Sequence, residues 1–253
     1  MIILLFCGND RSSATVFTHL KLHHNLIGVV TELPGSRKKL IKNRIKRLGF
    51  FTVFLQLLFM KLQLPFIKFM SKRRFEEIKK SFKIEEINHF NNILQVSSIN
   101  NIEVIDYVNE IKPDVIVVNG TRIISKKILI AIDVPIINIH VGITPKYRGV
   151  HGGYWALVNN DIENCGVTVH YVDSGIDTGN VICQRKIEIT KKDSFVTYPL
   201  LQLKKGLACL DIALKKINKK DYSVMDTSFS ESKLYYHPTI TQYLYNWIFK
   251  GIK

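Results

Sequence analysis

Pro135-Ile136-Ile137-Asn138-Ile139-His140 is a short apolar run ending in two polar residues spaced two apart. Its length and lack of helical spacing predict a buried strand, and side chains two apart on a strand leave on the same face. Working outward, Val115-Ile116-Val117-Val118 and Ile93-Leu94-Gln95-Val96 are strands of the same kind, and Ile2 to Cys7 and Leu26 to Thr31 open the chain with two more. Ser12 to Lys21, Asn101 to Ile111 and Ser125 to Ile130 have helical spacing, with Ser12 or Ser13 expected to cap the first helix. Apolar strands alternating with helices give an α/β fold with a mostly parallel sheet covered on both faces. In such a sheet, polar groups at the carboxyl ends of strands face the ligand crevice, which singles out Asn138 and His140.

Past His140 the spacing changes. Val150 to Asn159 predicts a helix, Gly166 to Asp173 alternates at period two, and Asn180 to Thr190 is its expected antiparallel partner. Ser194 to Lys219 is a long amphipathic helix and Ile240 to Ile252 a C-terminal one. The expected organisation is a core over residues 1–193, interrupted at 37–83, and a mainly helical extension over 194–253. Asp177 falls in the Gly-flanked turn Ser174-Gly175-Ile176-Asp177-Thr178-Gly179, which allows close backbone approach to a ligand. An amide, an imidazole and a carboxylate converging at strand ends suit acyl transfer: the first stabilises an oxyanion, the second moves a proton, and the third sets the charge of the second.

The stretches Asn138-Ile139-His140, Pro145-Lys146-Tyr147-Arg148-Gly149 and Gly166-Val167-Thr168-Val169-His170-Tyr171-Val172-Asp173 through Asp177 closely resemble the 10-formyltetrahydrofolate-dependent formyltransferases. The resemblance runs from about Ile2 to Thr190 and is most like the sugar N-formyltransferases. It implies a Rossmann-like core in which Asn138, His140 and Asp177 are catalytic. It also implies a folate cosubstrate held at Gly120, Thr121, Arg122, Ile123 and Ile124 and at Val172 and Asp173. The acceptor it implies is the amine of a nucleotide-linked amino sugar, used for cell-surface polysaccharide such as lipopolysaccharide O-antigen, with the enzyme in the cytoplasm. Lys146, Tyr147, Arg148, His151 and Tyr154 are the expected acceptor contacts, with Gly152-Gly153 leaving room for a hexose. Glycinamide ribonucleotide is disfavoured as acceptor because Asp10 would repel a phosphate at the first helix N-terminus. Methionyl-tRNA is disfavoured because 60 mostly helical residues after Asp193 leave no room for the C-terminal barrel of those relatives. His170 is either a hydrogen-bonded structural residue or part of the folate site. Tyr235-Tyr236-His237 is either a platform for a base or an anchor for the last helix.

The 253 residues carry a formal charge of +15. Between Arg37 and Lys83 there are 15 basic and two acidic residues, so this block holds +13 and the rest of the chain +2. The block contains thirteen uncharged residues, Leu48 to Met60, fewer than the ~20 needed to span a bilayer. Two readings stand: helices packed across one sheet face with their charges in solvent, or a segment facing a membrane surface or another polyanion. A non-catalytic protein held on membrane or nucleic acid by this block is the alternative of a different class; as an enzyme, the chain is expected to have no nucleic-acid partner, and a homodimer is left open. The four cysteines and the histidines have no metal-type spacing, so reduced thiols and no metal are expected.

Overall fold

The computed structural model describes residues 1–228 and 231–253. Its main sheet holds β1 (Ile3–Cys7), β2 (Leu26–Glu32), β3 (Ile93–Val96), β4 (Val115–Asn119), β5 (Ile136–His140), β7 (Gly166–Tyr171) and β8 (Val181–Lys186), ordered β3-β2-β1-β4-β5-β7-β8. The first five strands run parallel, and β7 and β8 are antiparallel. β6 (Arg148–Gly149) pairs with β9 (Leu234–Tyr235) in a separate two-stranded ladder. The helices are α1 (Arg11–His23), α2 (Arg37–Leu48), α3 (Phe50–Leu58), α4 (Leu64–Met70), α5 (Lys72–Lys79), α6 (Ile102–Ile111), α7 (Lys126–Ala131), α8 (Gly152–Val158), α9 (Tyr198–Asn218) and α10 (Ile240–Lys250).

Strand alternation sets the two cores. Ile3, Leu5 and Cys7 of β1 face α1 and α9, meeting Val16, Phe17, Leu20, Leu210 and Leu214. Leu4 and Phe6 point the other way, toward Val104, Val108 and Ile128 of α6 and α7. Each of these buried side chains contributes on the order of 1.5–3 kcal/mol, and a one-residue slip of register would reverse the set. All four cysteines are free and buried, with the Cys183 and Cys209 sulfurs 3.1 Å apart.

Three expectations need correction. Asp10, not Ser12 or Ser13, caps α1: its carboxylate accepts the Ser13 amide at 2.8 Å and the Ser12 hydroxyl at 2.9 Å. The segment after Asp193 is no mere appendage, because α9 lies on β7 and β8 and fills one core. The basic block does not cross a sheet face. Its Phe59 and Ile67 enter a third core made by α8, α10 and Phe195, and α3 rests on α10. Arg74 fastens the block to the body through Nε to Asp193 Oδ1 at 2.8 Å, beside a Ser71–Ser194 hydroxyl contact at 2.7 Å.

Asp193 is 2% exposed, so removing its cation leaves a buried carboxylate short of a partner. Arg74→Ala is expected to lower unfolding free energy by about 2–4 kcal/mol. Urea denaturation reads this, and faster tryptic cutting between residues 37 and 83 should accompany it.

Candidate active site

Antiparallel register places His170 of β7 opposite Asn138 of β5 and Thr168 opposite His140. His170 Nδ1 lies 2.7 Å from the Tyr171 carbonyl, which only accepts, so that nitrogen carries the proton. Nε2 lies 3.2 Å from the Asn138 amide and 3.7 Å from Asp177 Oδ1, and with the ring neutral it accepts from Asn138. The orientation of Asn138 is thereby fixed. Its second amide hydrogen has no protein partner among the described residues and is left for a ligand. His170 thus makes the hydrogen bonds of a structural residue and also lines the smaller of the two cavities described below.

His140 is 6% exposed and sits between two acceptors, with Nε2 2.9 Å from the Tyr147 carbonyl and Nδ1 3.3 Å from Asp177 Oδ2. A neutral imidazole has one N–H and satisfies one of them; an imidazolium satisfies both. Burial lowers the His140 pKa from its ordinary value, Asp177 and the Tyr147 carbonyl oppose that, and His170 and Arg148 reinforce it. The net direction is downward, so near pH 7 the ring is neutral and one of its two contacts lacks a hydrogen. A proton released in the cleft would complete the set. Gly142 makes the placement feasible, because a Cβ there would lie 2.4 Å from the Tyr147 oxygen and 2.7 Å from His140 Nε2.

Asp177 adopts a left-handed φ of 52°, and its Oδ2 accepts the Gly149 amide at 3.0 Å. Burial pushes its pKa up, but His140, His170 and the Gly149 amide outweigh this and hold it at about 2. Its loop is braced at both ends. Asp173 accepts from the Gly175 amide at 3.0 Å and the Thr178 hydroxyl at 2.7 Å, and the Arg148 guanidinium donates to the Ile176 carbonyl at 3.0 Å.

Two cavities meet at this cluster. The smaller, about 250 Å³, is lined by Gly120, Thr121, Arg122, Ile123, Ile124, Val172 and Asp173 together with Asn138, His170 and Asp177. The larger, about 990 Å³, shares Asn138 and Asp177 and adds His140, Arg11, Lys68, Lys72 and Phe75. The turn after β4 is held by buried Glu32, which accepts the Arg122 amide at 2.7 Å and pairs with its guanidinium at 2.9 Å. Arg122 thus contributes its backbone and stem to the small cavity, its charge being committed to Glu32.

The acceptor contacts expected from sequence separate. His151 lines the larger cavity, where burial, with His237 and Arg44 nearby, pushes its pKa down to about 3. Arg148 braces the Asp177 loop. Lys146 is paired with Asp161 at 2.6 Å in another cleft. Tyr147 and Tyr154 are 1% exposed core residues; the Tyr147 hydroxyl bonds Asp161, and Tyr154 accepts from Asn246. Gly152 and Gly153 do not make room for a ligand, since a Cβ on either would strike Gly142 or Gln202. Tyr235 is an anchor, stacked on Tyr147 and Trp155. Sequence reasoning missed Arg11, at the start of α1, and Lys68, Lys72 and Phe75, whose signal was the basic block itself, whose fold over the cleft no spacing encodes. It also missed a cluster at the α1–α9 contact, where His19 and His24 Nε2 lie 2.7 and 2.8 Å from Asp211 Oδ1. These three ligand atoms are close enough to hold a metal ion, outside both cavities.

Residues 68–202 match the formyl transferase family model. The methionyl-tRNA formyltransferase of Caldanaerobacter subterraneus subsp. tengcongensis is 32% identical over 134 residues, 53% of this chain and 42% of that relative. The chain thus spans less than half the length of this curated relative. Among solved structures, a sugar N-formyltransferase from a Shewanella species superposes with a TM-score of 0.57 at 12% identity, covering 93% of this chain and 76% of the other. The Helicobacter canadensis N-formyltransferase in complex with folinic acid and dTDP-3-aminofucose gives 0.56 at 19% identity, covering 93% and 71%. At these identities the structural likeness shows a common fold.

The Asp177 carboxylate raises the His140 pKa against burial, so removing it has a definite sign. In NMR titrations the His140 ring is expected to protonate below pH 6.5, and in Asp177→Asn at still lower pH.

Proposed function

The chain belongs to the formyl transferase family, and on that footing we propose that it moves a formyl group from 10-formyltetrahydrofolate to the amine of a nucleotide-linked amino sugar. The observation that carries this reading is the meeting of two cavities at Asn138 and Asp177, one lined by loop backbone and the other by cations. The apolar side chains of Val118, Ile124 and Val172 and the backbone of the turn after β4 suit a flat heterocycle in the small cavity. When bound there, the folate supplies the one-carbon unit. Arg11, Lys68 and Lys72 suit the phosphates of an acceptor in the larger cavity.

The residues of the chain do the rest. The free Asn138 hydrogen donates to the carbonyl oxygen on which negative charge grows. The neutral amine bonds to the formyl carbon and sheds a proton, which the His140–Asp177 pair, one hydrogen short of a complete set, receives and returns to the folate nitrogen as its bond to that carbon breaks. Holding both reactants across the shared wall supplies much of the acceleration. The folinic acid and dTDP-3-aminofucose bound in the Helicobacter structure support this choice of substrates. Asp10 counts against glycinamide ribonucleotide, because its carboxylate occupies the α1 N-terminus where a phosphate would otherwise be drawn. The names of the curated relatives favour a second reading, with methionyl-tRNA as acceptor.

A panel of acceptors with 10-formyltetrahydrofolate decides between these readings. Formyl transfer to a nucleoside diphosphate amino sugar, and none to methionyl-tRNA, is expected; the reverse result overturns the proposal. In the Lys68→Ala/Lys72→Ala variant the acceptor KM should rise about tenfold or more with the folate KM unchanged, on the order of 1.4 kcal/mol of lost phosphate contact. Equal rises in both KM values would remove the cations from the acceptor site.

A further inference from the structure

The helix that forms the middle of the basic block is longer than its uncharged core. α3 and α4 are joined through a π turn (Phe59–Gln63) into one helix of 21 residues from Phe50 to Met70, with a mean hydropathy of 1.7 over an 18-residue window, interrupted by Lys61 and Lys68. The thirteen-residue limit read from the sequence is therefore corrected: at 1.5 Å per residue the helix is about 31 Å long. One face is seated. Val53, Gln56, Phe59 and Ile67 are buried, Gln56 donates to the His237 carbonyl at 2.7 Å, and Phe59 packs on Phe195 and Tyr243 at 5.1 Å each. Phe59 and Ile67 are eight apart; the wider π turn absorbs the odd residue and keeps both on the seated face.

The other face is bare. Phe50, Phe51, Leu62, Phe69 and Met70 are 62–75% exposed, and Ile248 and Phe249 of α10 are 68% and 73% exposed. Phe66 meets Trp247 at 6.2 Å and links the two helices. Monomeric soluble proteins rarely leave so many large apolar side chains uncovered along two packed helices. Between these helices lies a cavity of about 440 Å³, lined by Phe66, Met70 and Trp247 and by Arg73, Lys191, Lys192 and Lys253, with Glu77 paired to Arg74 at its edge. An apolar wall with cations fits a lipid, acyl chain inward and phosphate outward.

We propose that the Phe50–Met70 helix and α10 form a docking face for an anionic lipid bilayer, on which the chain lies without crossing. Charge decides the occupant: the block from Arg37 to Lys83 carries +13, which attracts an anionic surface and would repel a second copy of itself. Seating decides the depth. A spanning helix would have to give up Gln56, Phe59 and Ile67, whereas an interfacial helix buries its outer phenylalanines in the headgroup boundary and keeps them. The same segment serves the cleft, since Lys68 and Lys72 line it while Phe69 and Met70 face outward.

The test is co-sedimentation of the whole chain with phosphatidylcholine vesicles, with and without phosphatidylglycerol. Binding to the anionic vesicles should be about tenfold or more stronger and should weaken as salt is raised. Phe51→Glu/Phe69→Glu changes two exposed residues, so circular dichroism should be unaltered while vesicle binding falls tenfold or more. Equal recovery from both vesicle types, or unchanged binding by the double variant, overturns the proposal. So does a dimer in sedimentation velocity that the double variant dissociates, because the face would then belong to a second copy.

Discussion

Asp177 is held at a left-handed φ of 52° by contacts that come from four parts of the chain. Its carboxylate takes the Gly149 amide, its loop is fastened by Arg148 and Asp173, and it faces the rings of His140 and His170. Gly149 depends in turn on the C-terminal segment: Arg148 and Val150 donate to the Lys233 and Tyr235 carbonyls, pairing β6 with β9. A Cβ on Gly149 would fall 2.3 Å from the Tyr235 oxygen, so this close approach needs glycine. The C-terminal fifth of the chain thus reaches the His140–Asp177 pair through two hydrogen bonds and one peptide unit.

Charge is divided between two tasks that lie back to back. The body holds +2 and builds the sheet, the strand-end polar groups and the small cavity. The block holds +13, and its cations turn inward to the cleft at Lys68 and Lys72 and outward around the bare apolar face. Arg74 and Gln56 keep both faces in register with the body. The insertion is therefore a wall of the site as well as a surface.

The sheet was legible in the sequence because buried strands are continuous apolar runs, and β3 (Ile93–Val96) matches its expected bounds. Asn138, His140 and Asp177 were legible as a group because strand ends and a glycine-flanked turn determine where those side chains emerge. Other features were not. The Asn138–His170 bond needs the antiparallel register, which the sequence leaves unspecified. Tyr147 and Tyr154 looked like ligand contacts because an aromatic next to a conspicuous turn has the same local context whether it faces a cleft or a core. Lys68 and Lys72 come to the cleft from across the third core, a long-range contact that no local spacing records.

The central claim is that His140 and Asp177 act as one proton-accepting unit. The direct measurement is a double-mutant cycle on kcat/KM for formyl transfer with His140→Ala, Asp177→Ala and the double variant. For a unit, each single change should cost about as much as both together, with losses of 10² to 10⁴ expected of a general base. Losses that simply multiply would show two independent residues and contradict the account.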